Sequence, residues 1–277
     1  MDRLFVAYKP SGIGSNNFLS QLKWKYNAAK AGFSGTLDPF AKGILIIAFG
    51  KYTSLFRFLN KTPKSYRATL WLGADSDTLD IEAVSRIDEI EPLDEKKIEE
   101  AVKSIEGELE YYPPIFSAKK VDGRRAYDLA REGKEVTLNT IHSTIYKTSF
   151  IHYCHPFVTF EATVSEGTYI RSLGRIIAQR LGTSGGILSA LERLHEGQFR
   201  YEDEKALDIR KSLNIPKNIY LGNTSTILLG QKLERDDFER ADNGTYWVDN
   251  GNSISIFEFN DEGVHYLLNR VSLHEEL

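Results

Sequence analysis

Cysteine occurs once in this chain of 277 residues, at Cys154. A single thiol excludes an intramolecular disulfide and any Cys-rich zinc or iron–sulfur cage. It fits a reducing, intracellular location. No apolar run approaches the roughly 18–20 residues that span a bilayer, and the N-terminus lacks the apolar stretch of a signal peptide. A cytoplasmic protein without membrane contact is therefore expected. Dinucleotide and P-loop glycine patterns are missing, as is a Ser-His-Asp motif context, so redox and nucleotide-hydrolysis chemistry lack support. The cluster His152-Tyr153-Cys154-His155 matches no common zinc spacing and has no second cluster to complete it, so no metal site is expected. What remains is an ordinary globular balance, 41% hydrophobic and 27% charged, long enough for one large domain or two unequal ones.

The formal charge of −4 hides an asymmetry. Residues 1–72 carry 11 Lys and Arg against only Asp2 and Asp38, a net of +9. Residues 73–110 are net −10, residues 111–200 net +4 and residues 201–277 net −7. Two basic stretches separated by an acidic one form a basic face if the fold brings them together. The alternative is a solvated surface with no partner.

Hydrophobic periodicity predicts a strand at 4–8, then a turn-rich loop Lys9-Pro10-Ser11-Gly12-Ile13-Gly14-Ser15. Ser15 or Asn16 is placed to cap the following helix. Residues 31–43, with three glycines and Pro39, read as a shaped loop, and Ile44 to Phe49 as a continuous apolar strand. A short helix is expected at 53–59 and a strand at 65–72. The acidic segment 73–110 reads as a surface insertion carrying a helix near 94–105. A Pro-containing loop at 111–123, a helix at 124–132, extended segments near 135–150 and 157–165, and a helix at 168–181 follow. Residues 187–194 read as a further helix. From 223 onward short strand-like pieces broken by Asp-Asn-Gly turns suggest a small β-rich appendage. The whole is an α+β body with a β-rich C-terminal part.

Asp38 is the only acid between Asp2 and Asp75, and ten cations surround it from Lys9 to Arg67. An aspartate in a turn commonly shapes that turn. The functional reading is a carboxylate kept ionised in an electropositive cleft, suited to nucleophilic or base chemistry.

Five ordered blocks bear on the choice. Gly35-Thr36-Leu37-Asp38-Pro39-Phe40-Ala41-Lys42-Gly43 resembles the catalytic loop of the TruB-type tRNA pseudouridine-55 synthases. Lys9-Pro10-Ser11-Gly12 through Ser15 resembles that family's N-terminal motif, and Lys64-Ser65-Tyr66-Arg67 the strand with its active-site tyrosine. Tyr112-Pro113-Pro114 through Ser117-Ala118-Lys119-Lys120, with Gly123 and Tyr127, is similar to its central motif. Gly167-Thr168-Tyr169-Ile170-Arg171-Ser172-Leu173 is similar to its arginine-bearing motif. The likeness spans residues 4–200.

The resemblance implies a pseudouridine synthase core (1–215) with a mixed, mostly antiparallel sheet, and a small PUA-like RNA-binding domain (223–277). It implies isomerisation of uridine in the T loop of tRNA without a cofactor, and a monomer is expected. Asp38 is then the essential carboxylate, Tyr66 stacks on the base, and Arg171 pairs with Asp38, lowering its pKa. Attack on the sugar, addition to the base and removal of a ribose proton all stay open for Asp38. Lys9, Phe33, Asp80, Lys119, Lys120, Tyr169 and Leu191 are the expected substrate-binding residues, with Arg124, Arg125 and Arg131 near phosphates. The chain departs from the family pattern at Phe33, where histidine is common, at Glu166, where a basic or small residue is common, and at Glu192, His195 and Glu196, where arginines are common. Two rival roles remain: an RNA-folding chaperone on the same fold, and a synthase for ribosomal or guide-directed RNA.

Overall fold

The computed structural model describes residues 1–117, 119–121, 123–134 and 137–273, and at Lys120, Val121, Arg125 and Arg131 the backbone alone. The chain begins with β1 (Arg3–Lys9), α1 (Ser15–Lys25), β2 (Ala31–Phe33) and β3 (Lys42–Phe49), then a 3-10 helix over Gly50–Phe58. Next come β4 (Lys64–Leu72), the hairpin β5 (Ala74–Ser76) and β6 (Val84–Ile87), α2 (Glu95–Ser104) and β7 (Gly107–Tyr111). The short pair β8 (Lys120–Val121) and β9 (Arg124–Arg125) leads into α3 (Ala126–Arg131). The body closes with β10 (Ile141–Cys154), β11 (Phe157–Val164), α4 (Ile170–Arg180) and β12 (Gly186–Glu196). After α5 (Ile209–Ser212) and α6 (Thr224–Leu228), strands β13 (Gly244–Asp249), β14 (Ser253–Asn260) and β15 (Gly263–Ser272) make a separate sheet.

Among the described residues, eight strands form the main sheet, in the order β1-β3-β12-β4-β11-β10-β7 with β2 also paired to β3. Every pairing is antiparallel except β12 with β3, which run parallel through Glu192↔Lys42 and Arg193↔Gly43. That junction needs Gly43. A Cβ there would lie 2.3 Å from the carbonyl oxygen of Arg193, and its φ is +119°, a value that side chains rarely tolerate.

The unbroken apolar run in β3 follows from burial on both faces. Leu45, Ile47 and Phe49, with Phe5 and Ala7 of β1, face a cluster that includes Leu173 and Ile177 of α4. Ile44, Ile46 and Ala48, with Leu4 and Val6, face a second cluster that includes Trp247, Ile254, Ile256 and Val271 of the C-terminal sheet. Phe257, Phe259, Phe238 and Tyr246 form a third cluster on that sheet's other face. The C-terminal strands therefore rest on the body through a continuous apolar layer.

Three expectations change. Residues 187–194 form part of β12 rather than a helix, because β4 and β3 offer backbone partners on both sides. Their leucine spacing alone fits either state. Ser15 does not cap α1; Gly14 holds the cap position without a side-chain bond. The acidic segment 73–110 is more than a surface insertion. Its helix α2 buries Ile98, Ala101 and Val102 in the main core, Ile105 at the helix end joins them, and β7 completes an edge of the sheet. The acids occupy the outer face of the same amphipathic helix. Among the described residues no helix is long and apolar enough to cross a membrane.

Candidate functional site

The loop between β2 and β3 carries Asp38, and it is held from three directions. Ser15 Oγ donates to the Leu37 carbonyl at 2.8 Å and accepts from the Leu37 N–H at 3.0 Å. Lys9 Nζ, fully buried, donates to the carbonyls of Pro10 (2.9 Å), Ile13 (2.7 Å) and Pro39 (3.5 Å). On the third side β12 supplies Arg193, which donates to the carbonyls of Gly35 (3.1 Å) and Ile44 (2.9 Å). Glu196 accepts from Ser34 Oγ at 2.6 Å and lies 3.2 Å from Lys64 Nζ and 3.5 Å from Arg193 Nη2. Gly35 sits directly on this cluster at φ +61°. A Cβ there would meet Lys64 Nζ at 3.0 Å and Arg193 Nη1 at 3.3 Å.

Arg171 belongs to the first turn of α4, whose Ile170, Leu173 and Ile177 anchor the helix in the core. A cation at the positive end of a helix is unfavourable by itself. Here it is fully engaged. Its Nε lies 3.0 Å from Asp38 Oδ2, and Nη2 donates to Asp38 Oδ1 at 3.3 Å. Nη1 donates to the Thr78 carbonyl (2.6 Å) and Asp80 Oδ2 (3.2 Å), and Nη2 also to the Phe116 carbonyl (2.9 Å). The fork geometry on Asp38 fixes its carboxylate plane. Asp80 was expected on an RNA-facing loop. It is instead buried, and its other oxygen accepts from Thr78 Oγ1 (2.6 Å) and the Glu82 N–H (3.0 Å).

Burial pushes the Asp38 carboxyl above its ordinary value of 3.8; Arg171 pulls it down, Asp80 pushes it up, and Lys9 pulls it down. The net direction is up, so desolvation outweighs the arginine that was expected to lower it. Burial likewise holds the Lys9 ammonium at about 8. Between pH 8 and 10.5 the unfolded chain then binds more protons than the folded one, so stability rises with pH across that window. Relative to Lys9→Met, the wild type is expected to gain about 2–3 kcal/mol from pH 8 to 10.5. Urea unfolding at both ends of the window measures this, and parallel curves for the two proteins would refute it.

Asp38 and Arg171 stand in the wall between two cavities. The first, about 290 Å³, is also lined by Lys64, Tyr66, Tyr169, Leu191 and Arg193. The second, about 460 Å³, reaches Asn16, Asp80, Phe116 and Tyr127. The first is near the lower end of small-molecule sites, roughly 300–1,000 Å³. It combines an aromatic and aliphatic wall with two carboxylates, Glu166 at the exposed rim and Asp38, whose side chain is 34% exposed.

Of the residues expected from sequence, the fold gathers Asp38, Tyr66, Arg171, Tyr169 and Leu191 around this cavity. Lys9 lies behind the loop. Phe33 is half-buried on β2, opposite Ile47 and packed on the main core, away from both cavities. Lys119 donates to the Asn139 carbonyl at 3.3 Å at the surface. Ala118 and the Lys120, Arg125 and Arg131 side chains fall outside the described residues. Arg124 pairs with Glu132. Sequence reading missed Arg193, Glu196 and Ser15 as supports of the loop. Arg193 and Glu196 share β12 with Glu192 and His195, so nothing in the sequence marks which of these polar residues turn inward. No cluster of three or more His, Cys, Asp and Glu suited to a metal ion occurs among the described residues.

Residues 23–170 match the profile of the TruB family pseudouridylate synthase N-terminal domain. The tRNA pseudouridine synthase B of Sulfurimonas denitrificans is 61% identical over 271 residues, covering 98% of this chain and 99% of the relative. The enzyme of the same name from a Sulfurovum species is 58% identical over 276 residues, covering 100% and 99%. Among solved structures, a Cbf5–Nop10–Gar1 complex aligns at a TM-score of 0.64 with 22% identity, over 98% of this chain and 84% of the other. An archaeal box H/ACA Nop10–Cbf5 complex aligns at 0.64 with 21% identity, over 99% and 87%. The structural likeness shows a shared fold. Identity along nearly the whole length, together with the profile match, shows that the chain belongs to the TruB family of pseudouridylate synthases, isomerases that turn uridine into pseudouridine.

Proposed function

We propose that the chain isomerises uridine 55 in the T loop of tRNA, with Asp38 as the essential carboxylate. The observation that carries this reading is the Asp38 carboxylate, held in a fork by Arg171 at the wall of a cavity that Tyr66 and Leu191 also line. The relatives named tRNA pseudouridine synthase B support tRNA as the substrate. Their identity of about 60% favours tRNA over the rival RNA substrates.

The uridine leaves its stack and enters the cavity at a cost of a few kcal/mol. The N1–C1′ bond breaks, the uracil turns, and C5 bonds to C1′. N1 gains a proton and C5 loses one, so the reaction is redox-neutral. Asp38 meets the nucleotide; Arg171 fixes its rotamer and balances its charge. Tyr66 stacks on the base and stands by the proton leaving C5. The protein acts as a cytoplasmic monomer.

Tritium release from C5-labelled uridine in tRNA transcripts, followed by mapping of the modified position, tests the proposal. Label loss with pseudouridine at position 55 is expected. Loss from another position, or modification of ribosomal RNA alone, would overturn the substrate assignment.

A further inference from the structure

The turn between β11 and α4 places Glu166 on the lining of the first cavity, together with Lys64. One Glu166 carboxylate oxygen lies 3.7 Å from Lys61 Nζ and 3.6 Å from Lys64 Nζ. Both separations exceed hydrogen-bond length, so a single oxygen is shared loosely by two ammonium groups. The cations are sheltered, at 19% and 7% side-chain exposure, whereas Glu166 is 54% exposed. Lys64 has a second carboxylate partner in Glu196 at 3.2 Å. Lys61 pairs with no other carboxylate among the described residues.

Two sheltered cations thus share one acid on an exposed turn. Ion pairs of this exposed kind contribute little to stability, so Glu166 swings away at small cost. A phosphate oxygen in its place would accept charge-assisted hydrogen bonds from both lysines. The exchange puts one negative charge where another stood, so no cation is left bare at any stage. Asp38 and Tyr66 line the same cavity. A nucleotide whose sugar and base reach them brings its own phosphate to the lining.

We propose that Lys61 and Lys64 form a subsite for a backbone phosphate of the bound RNA, and that Glu166 fills it in the free protein as an internal anion which the phosphate displaces. The inference rests on the RNA-uridine reading of the cavity. Glu166 thereby weakens the binding of every polyanion that uses the subsite, the substrate RNA included.

The test compares wild type, Glu166→Gln, Lys61→Met and the double variant by tritium release on tRNA transcripts, at about 50 and 200 mM salt. Glu166→Gln is expected to lower KM roughly three- to fivefold at the lower salt with kcat unchanged. The gain shrinks at the higher salt and disappears in the Lys61→Met background. An unchanged or higher KM for Glu166→Gln would overturn the proposal. So would an equal gain with and without Lys61, which would mark a general field effect rather than a subsite. If wild type turns over no uridine in any RNA, the parent reading fails by itself. Binding of an oligouridylate by the same four proteins then decides the subsite, with the same pattern in Kd expected.

Discussion

Asp38→Asn is expected to lower turnover on tRNA at least about a thousandfold while tRNA affinity stays within about threefold. The amide is isosteric and keeps a hydrogen bond from Arg171, whose contacts to Thr78, Asp80 and Phe116 hold the guanidinium in place. What it lacks is the charge. Because burial raises the Asp38 carboxyl, ionising it costs more in the folded protein than in the unfolded chain. The variant should therefore be at least as stable as wild type at neutral pH. For the same reason, activity that needs the carboxylate should fall away on the acid side at a pH above 3.8, the group's ordinary value. Single-turnover kinetics beside a filter-binding titration separate the two properties. Wild-type turnover in Asp38→Asn would remove this residue from the chemistry. Lost binding with intact folding would instead favour the RNA-chaperone role.

Glu196→Leu is expected to cost about 3–5 kcal/mol of stability and to lower Tm by roughly 10 °C. Glu196 is fully buried and partners Ser34, Lys64 and Arg193. Removing it leaves buried Arg193 without a carboxylate and Lys64 with only the loosely held Glu166. Glu192 is the control. It lies on the same strand, four residues away, but is 21% exposed and meets Tyr8 and Lys42 near the surface. Glu192→Gln should cost no more than about 1 kcal/mol. Urea unfolding of the pair measures the contrast, and equal stabilities for the two variants would show that the buried cluster does not hold the loop.

The parts of the fold legible in the sequence are those whose burial shows as periodicity. β1 and β3 alternate between two buried faces, and α2 and α4 carry apolar residues at helical spacing. The loop around Asp38 was legible by motif, because glycines and proline mark it and its charge is solitary. β12 was misread because Leu191 and its neighbours fit both periods, and the partners that decide the matter are distant in sequence. The direction of the Asp38 shift was missed for a related reason. Sequence reveals that an arginine exists, but desolvation depends on how many segments close over the carboxyl. Asp80 shows the same limit: its expected contact with RNA gave no sign of the buried pair that it forms with Arg171.

The strands whose ends carry Lys9 and the Asp38 loop also bear, on their reverse side, the layer that Trp247, Ile254 and Ile256 cover. Strands β13–β15 are thus a buttress behind the Asp38 loop. Cutting them away would strip an oily wall bare and slacken the platform under the Asp38 loop.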